Sequence, residues 1–280
     1  MIVSKYNASG NDFVVFSSFL DNDRSALAKK LCDRFNGVGA DGLIVILPAN
    51  DENCDIRWEF YNSDGSVASM CGNGSRAAAL YAYFQGLANE NMRIKTGAGI
   101  IKAKIFKNEN LCQNASEILN KSQNEISGQN TSENLLNKSM LVEVELTSPK
   151  KLNESFNENG KTWYFYDTGV PHLITFSKNL AEFDLDLAKK MRQKHNANVN
   201  FALIKNSQNI AVRTYERGVE NETMACGTGM AASFLAGFEL GLVKAEICVQ
   251  PKSNEKLFLR FEEGKIYFKG EVKKCFDAVL

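Results

Sequence analysis

The chain of 280 residues lacks most of the features that mark common functional classes. It has two histidines, His172 and His195, and no Cys-x-x-C pair. A zinc site would have to gather widely scattered ligands, so no metal is expected. The seven cysteines (32, 54, 71, 112, 226, 248 and 275) are an odd number, which argues against a disulfide framework. Lys+Arg and Asp+Glu both count 33, with no basic run or basic helix face, so nucleic acid is not an expected partner. No apolar stretch approaches the roughly 20 residues that span a bilayer, which removes a membrane partner as well. The opening MIVSKYNASGNDF has no basic leader before an apolar block. The expected compartment is therefore the cytoplasm.

What remains is a chain that is 44% hydrophobic, enough to build the core of one large domain or two ordinary ones. Short strands are predicted from Ile2 to Phe16, around a turn at Asn7–Asp12. A helix is predicted over Asp23–Phe35, capped by Asp21 or Asn22 and stopped by Gly37, with Cys32 and Phe35 on its apolar face. Strands follow at 43–47 and 55–61, then a turn, an apolar helix over 73–84, and strands at 92–95 and 100–106. Residues 108–138 change character: eight Asn, four Ser and three Gln, and no aromatic residue. They read as a surface insertion, mobile or weakly helical, without catalytic content. Strands are then predicted at 140–146 and 162–166 and after Gly169-Val170-Pro171-His172. A helix is predicted over 178–195, with Leu180, Phe183, Leu187 and Met191 on one face. Strands at 200–204 and 210–215, an apolar helix over 228–240, and strands at 245–249, 256–261 and 266–269 complete the pattern.

The chain repeats itself. IRWEFYNSDGSVASMCGNGSRAAALYAYFQG in the first half parallels IAVRTYERGVENETMACGTGMAASFLAGFELG in the second. Each runs strand, aromatic, polar turn, Met, Cys-Gly-x-Gly, Ala-rich helix. Gly10-Asn11-Asp12-Phe13 stands to Cys71 much as Gly169-Val170-Pro171-His172 stands to Cys226. Two copies of one unit imply two similar domains related by a pseudo-two-fold axis, with Cys71 facing Cys226 across a cleft. The expected boundaries are 1–148 and 149–268, with a last strand, 269–280, returning to the first domain.

Each of these Cys stands where a turn feeds a helix. The first helical turn offers unpaired N–H groups and the positive end of the dipole, a setting that lowers a thiol's pKa. The glycines let backbone approach a ligand closely, and a carboxylate fits such a terminus. A single motif of this kind is equally a buried thiol beside a cap; two at symmetric positions call for a reaction. Inverting a stereocentre needs a base on one face and an acid on the other, and two tuned thiols supply both. Amides aimed at a substrate carboxylate stabilise the carbanion. Glu216 and His172 are candidates for setting the thiol pKa values, and Arg217 for binding a carboxylate. Asn11, Asn62, Asn73 and Asn200 offer amides that grip ammonium and carboxylate groups. Asn62 is equally a turn residue, Glu216–Arg217 a surface pair, and His172 a satisfied core histidine.

At these residues the chain resembles the diaminopimelate epimerase family. The resemblance rests on Gly10-Asn11-Asp12-Phe13, Asn62-x-Asp64-Gly65-Ser66, Met70-Cys71-Gly72-Asn73-Gly74-x-Arg76, Gly169-x-Pro171-His172, Tyr215-Glu216-Arg217-Gly218 and Glu222-Thr223-x-Ala225-Cys226-Gly227-Thr228-Gly229. It implies an α+β fold of two similar domains, each a curved, mostly antiparallel sheet around a central helix. It implies interconversion of LL- and meso-2,6-diaminopimelate without pyridoxal phosphate or any other cofactor, on the route to lysine and peptidoglycan, and a homodimer. Cys71 and Cys226 would be the acid/base pair, and His172 and Glu216 would modulate them. Asn11, Asn62, Gly72, Asn73, Asn200, Glu216, Arg217, Gly227 and Thr228 would line the substrate site. The chain departs from the family at Gly42, where some members carry a substrate-contacting Gln, and at Val170, where many carry Asn. The other readings are a proline or hydroxyproline racemase of the same superfamily, a thiol redox switch closing Cys71 to Cys226, and a non-catalytic amino-acid-binding protein.

Overall fold

The computed structural model describes residues 1–107 and 139–280, so the Asn-rich segment 108–138 lies outside the described residues. The first half runs β1 (Ile2–Ala8), β2 (Asn11–Ser17), α1 (Ser25–Cys32), β3 (Gly42–Pro48), β4 (Ile56–Asn62), α2 (Gly72–Phe84), β5 (Asn91–Thr96), β6 (Gly99–Phe106) and β7 (Ser139–Glu145). The second runs β8 (Lys150–Glu158), β9 (Lys161–Asp167), β10 (Pro171–Phe176), α3 (Leu185–His195), β11 (Asn198–Asn206), β12 (Asn209–Glu216), β13 (Asn221–Thr223), α4 (Gly227–Glu239), β14 (Glu246–Gln250), β15 (Leu257–Glu262) and β16 (Lys265–Val279).

The internal repeat is visible in the pairing. In both halves a parallel pair brackets each helix: β2–β3 around α1 and β4–β5 around α2, then β10–β11 around α3 and β12–β14 around α4. The other pairs are antiparallel, so the fold is α+β and mostly antiparallel, as expected. The long strand β16 joins the halves. It pairs with β15 through 265–269, with β7 through 267–273 and with β1 through 272–279. The β1–β16 ladder closes β1–β7 and β16 into a barrel. The second half stays open, ending on β8, an edge whose side chains are nearly all exposed. A polar edge of this kind resists pairing with other chains.

α2 and α4 are buried on nearly every side, the pattern of a helix enclosed by its own domain. Ala77, Ala78, Ala79 and Ala82 in α2, and Ala231, Ala232 and Ala236 in α4, have no exposed surface. Small side chains let strands pass close on all sides. One apolar core surrounds both helices; separate clusters sit under α1 and under α3.

Several boundaries differ from the expected ones. α1 is shorter than Asp23–Phe35 and uses neither Asp21 nor Asn22 as a cap. Asp23 Oδ1 instead accepts from the amide and hydroxyl of Ser25. At the other end Asp33 takes the amides of Phe35 and Asn36, so the helix stops there and Phe35 is exposed rather than on a buried face. The expected helix 178–195 breaks into a 3-10 turn, Leu180–Glu182, and α3. The break falls at Asp184, whose carboxylate accepts from the Leu187 amide and starts a new helix. β8, polar on both faces, carries no alternation for sequence reading to find.

Candidate active site

Cys71 and Cys226 are the N-cap residues of α2 and α4, both in extended conformation. The helix amides begin just beyond each thiol. Cys71 Sγ accepts from the Gly74 amide at 3.3 Å, so the sulfur itself caps the helix. Cys226 Sγ lies 3.5 Å from Thr228 Oγ1. Both are free thiols. Cys71 is partly exposed; Cys226 is buried.

Two residues tie the thiols into one site. The first is Phe268 on β16. A Cβ placed on Gly72 would lie 3.5 Å from its ring, and one on Gly227 3.4 Å from the same ring. The glycine after each Cys thus packs on one aromatic side chain. The second is Glu216, at the end of β12, whose carboxylate raises both thiols. The pseudo-symmetric arrangement expected from the repeat does bring the two motifs together.

Burial sets the thiols' acidity. It pushes Cys71 up, against the amides of Gly74 and Asn73 and the cation of Arg76, while Glu216 adds to the rise. Cys226 is pushed up to about 12 by burial and then by Glu216, against the Thr228 hydroxyl and the amides of Gly229 and Thr228. The sequence argument expected the helix termini to lower both values. The amides do pull downward, but desolvation of a thiolate outweighs them. Glu216 is itself raised by burial, with the Thr223 hydroxyl opposing, and no cation offsets it among the described residues.

Around Cys71 the expected amides form a chain. Arg76 Nη2 donates to Asn73 Oδ1 at 2.6 Å, Asn73 Nδ2 to Asn11 Oδ1 at 2.6 Å, and Asn11 Nδ2 to Asp41 Oδ2 at 3.0 Å. Arg76 is fully buried, donates also to Ser9 Oγ, and lies 4.4 Å over the Phe268 ring. A Cβ on Gly270 would collide with its guanidinium. Asn62 is half-buried at the end of β4, with its amide on Ser66 Oγ at 2.9 Å.

Around Cys226, His172 is fully buried on β10. Burial, then the Arg217 cation, lowers it to about 3, so the ring is neutral. Its Nε2 is 2.9 Å from Thr228 Oγ1 and its Nδ1 is 3.1 Å from Asn200 Nδ2. Arg217 is half-buried, its amide bonded to Asn198 Oδ1 at 2.7 Å and its guanidinium to the Asn196 carbonyl at 3.0 Å. Sequence reading missed Asn198, Asp41, Arg76 and Thr214. In Asn198-Val199-Asn200 the alternation of β11 puts both amides on one face, which was the available signal. Arg76 was visible only as a motif member.

The two departures have different surroundings. A side chain on Gly42 would collide with Phe60 and the Tyr61 carbonyl, so there is no room for Gln. Val170 is half-buried in the β9–β10 turn, where its carbonyl accepts from the Thr168 amide. No helix among the described residues is long and apolar enough to cross a membrane.

Comparison with known proteins agrees with this architecture. The family model described as diaminopimelate epimerase matches residues 3–117 and 164–275. The chain is 50% identical to the diaminopimelate epimerase of a Nitratiruptor species, covering 99% of this chain and 98% of that protein. It is 48% identical to that of Campylobacter jejuni (strain RM1221), over 98% and 96% of the two chains. Identity to that of Helicobacter pylori (strain Shi470) is 40%, over 100% and 96%. Among solved structures, a Bacillus anthracis phenazine biosynthesis protein of the PhzF family superposes with a TM-score of 0.67 at 15% identity, over 100% and 99% of the chains. A probable proline racemase from Agrobacterium radiobacter K84 gives 0.64 at 11%, over 100% and 92%. These two show a shared fold. With its paired Cys-Gly-x-Gly helix termini and this extent of similarity, the chain belongs to the diaminopimelate epimerase family.

Proposed function

We propose that this protein interconverts LL- and meso-2,6-diaminopimelate by a two-base mechanism in which Cys71 and Cys226 exchange the α-proton. The observation that carries this is the pair of free thiols at two helix N-termini whose following glycines pack on one aromatic ring. In the first turns of α2 and α4 the amides of Gly72, Asn73, Gly227 and Thr228 lack intrahelical acceptors. They form a two-sided cradle for the α-carboxylate. Glu216, a half-buried carboxylate with no cation partner among the described residues, suits the α-ammonium. Its neutralisation by substrate removes the part of the rise that Glu216 adds to burial, more at Cys226 than at Cys71, and so favours a thiolate. That thiolate takes the proton from one face, the opposite thiol returns one to the other, and the amides hold the charge that develops on the carboxylate. The roles exchange in the reverse direction. Asn11, Asn62, Asn73 and Arg217 are assigned to gripping the substrate, and His172 to tuning Cys226 through Thr228.

No cofactor enters this scheme. The reading places the protein in lysine and peptidoglycan-precursor synthesis, in the cytoplasm and as a homodimer; light scattering of the purified protein checks the assembly. The reaction is tested by incubating reduced protein with LL-diaminopimelate, with proline as control. Stereoinversion of diaminopimelate alone supports the reading. Inversion of proline alone moves the protein to the racemase branch, and inversion of neither rejects both.

A further inference from the structure

Asn200 was expected to touch substrate, yet it has no exposed surface and every polar group of its side chain is in use. It faces Thr214 directly across the β11–β12 ladder. Its Oδ1 accepts from Thr214 Oγ1 at 2.8 Å. Its Nδ2 donates to the Leu173 carbonyl at 2.9 Å and to His172 Nδ1 at 3.1 Å. The Leu173 carbonyl can only accept and the Thr214 hydroxyl supplies a donor for the other side, so the amide has one orientation.

That orientation decides the rest of the chain. A donor at Nδ1 leaves that nitrogen unprotonated, so the single hydrogen of the neutral ring sits on Nε2. Nε2 then donates to Thr228 Oγ1 at 2.9 Å, and the Thr228 hydrogen is left for Cys226 Sγ at 3.5 Å. Asn198 Nδ2 lies farther from Nε2, at 3.4 Å, and its Oδ1 is taken by the Arg217 amide, so it offers the ring no acceptor. Gly229 completes the arrangement: a Cβ there would collide with Asn200 Oδ1, so only glycine lets α4 pack against this pair.

We propose that Asn200 and Thr214 are positioning residues for Cys226: they hold His172 as the Nε2–H tautomer, which turns the Thr228 hydroxyl toward the sulfur, and Asn200 does not bind substrate. The proposal rests on the reading of Cys226 as an acid/base group, but its first test needs no turnover. With only two histidines in the chain, long-range proton–nitrogen NMR of the ¹⁵N-labelled protein resolves both rings, and His195→Gln assigns them. His172 is expected as a neutral Nε2–H ring near pH 7. In Asn200→Asp an acceptor replaces the donor facing Nδ1, so a proton is expected to appear on Nδ1. The sulfur then loses its donor, and kcat is expected to fall about ten- to a hundredfold while KM changes less than about twofold. Thr214→Val is expected to lower kcat by less, with Thr214→Ser restoring it. A wild-type Nδ1–H ring overturns the proposal whatever the variants do. So does Asn200→Asp raising KM at unchanged kcat. Should the wild type fail to turn over diaminopimelate, the functional reading falls while the tautomer still decides this inference.

Discussion

The two thiols occupy the same place in two copies of one unit, yet their surroundings differ in sign. Five residues after Cys71 the helix carries Arg76, a buried cation whose field lowers the thiol. Five residues after Cys226 it carries Ala231. There the charge that acts on the thiol is the Glu216 carboxylate, the second cause of the rise at Cys226 and only the last-ranked at Cys71. Cys71 is partly open and bonded to a backbone amide; Cys226 is closed in and faces a hydroxyl. The backbone symmetry supplies two equivalent positions, and the side chains make them unequal. Burial raises both thiols, and only Cys71 has a cation, Arg76, pulling against that rise. The barrel follows the same division, closed around α2 by β1–β16 and open around α4.

The comparison breaks most completely if either thiol proves dispensable. Cys71→Ser and Cys226→Ser are each expected to lower epimerisation by at least about a thousandfold in both directions. Substantial turnover by either variant, measured by chromatographic separation of the stereoisomers, contradicts the two-base scheme. Glu216→Gln is next. It is expected to lower the ionisation midpoint of both thiols, more at Cys226, and to reduce kcat/KM about a hundredfold through loss of the ammonium partner. The pH dependence of alkylation, read peptide by peptide by mass spectrometry, gives both midpoints.

Arg76→Met sharpens the contrast from the other side. The Cys71 midpoint is expected to rise by about one pH unit and Cys226 to stay in place. Equal shifts at both sites mean that the variant has disturbed the fold rather than a local field. The smallest expected effect is on stability in acid. His172 has its folded value lowered to about 3 from an ordinary 6.5. The stability contributed by the neutral ring is therefore full above about pH 6.5 and is lost as pH falls toward 3. Its counterpart in the first motif is Phe13, which does not titrate. Denaturant midpoints for wild type and His172→Gln are expected to converge as pH drops through that window.

Much of the site was legible because it is repeated. Cys-Gly-x-Gly before an Ala-rich helix, twice, is enough to expect two caps close together, and the glycine after each Cys does pack on the one Phe268 ring. What was not legible depends on burial. The helix-terminus rule gives the right sign for the amides at Cys71 and Cys226 but says nothing about desolvation, which dominates. Asn200 and Asn198 are two residues apart on one strand face, both buried, and only the partners of each amide show what it holds: Thr214 and His172 for one, the Arg217 amide for the other. β8 was missed because an edge exposed on both faces has no period. The α1 boundary was missed because Asp23 and Asp33 form local turns that compete with helix continuation.

The most direct test follows LL-diaminopimelate in deuterated water at early times. With one base on each face, the meso product is expected to carry deuterium at its inverted α-carbon while recovered substrate stays unlabelled. Deuterium entering the recovered substrate as fast as the product would mean that one group removes and returns the proton, and would contradict a site built from Cys71 on one face and Cys226 on the other.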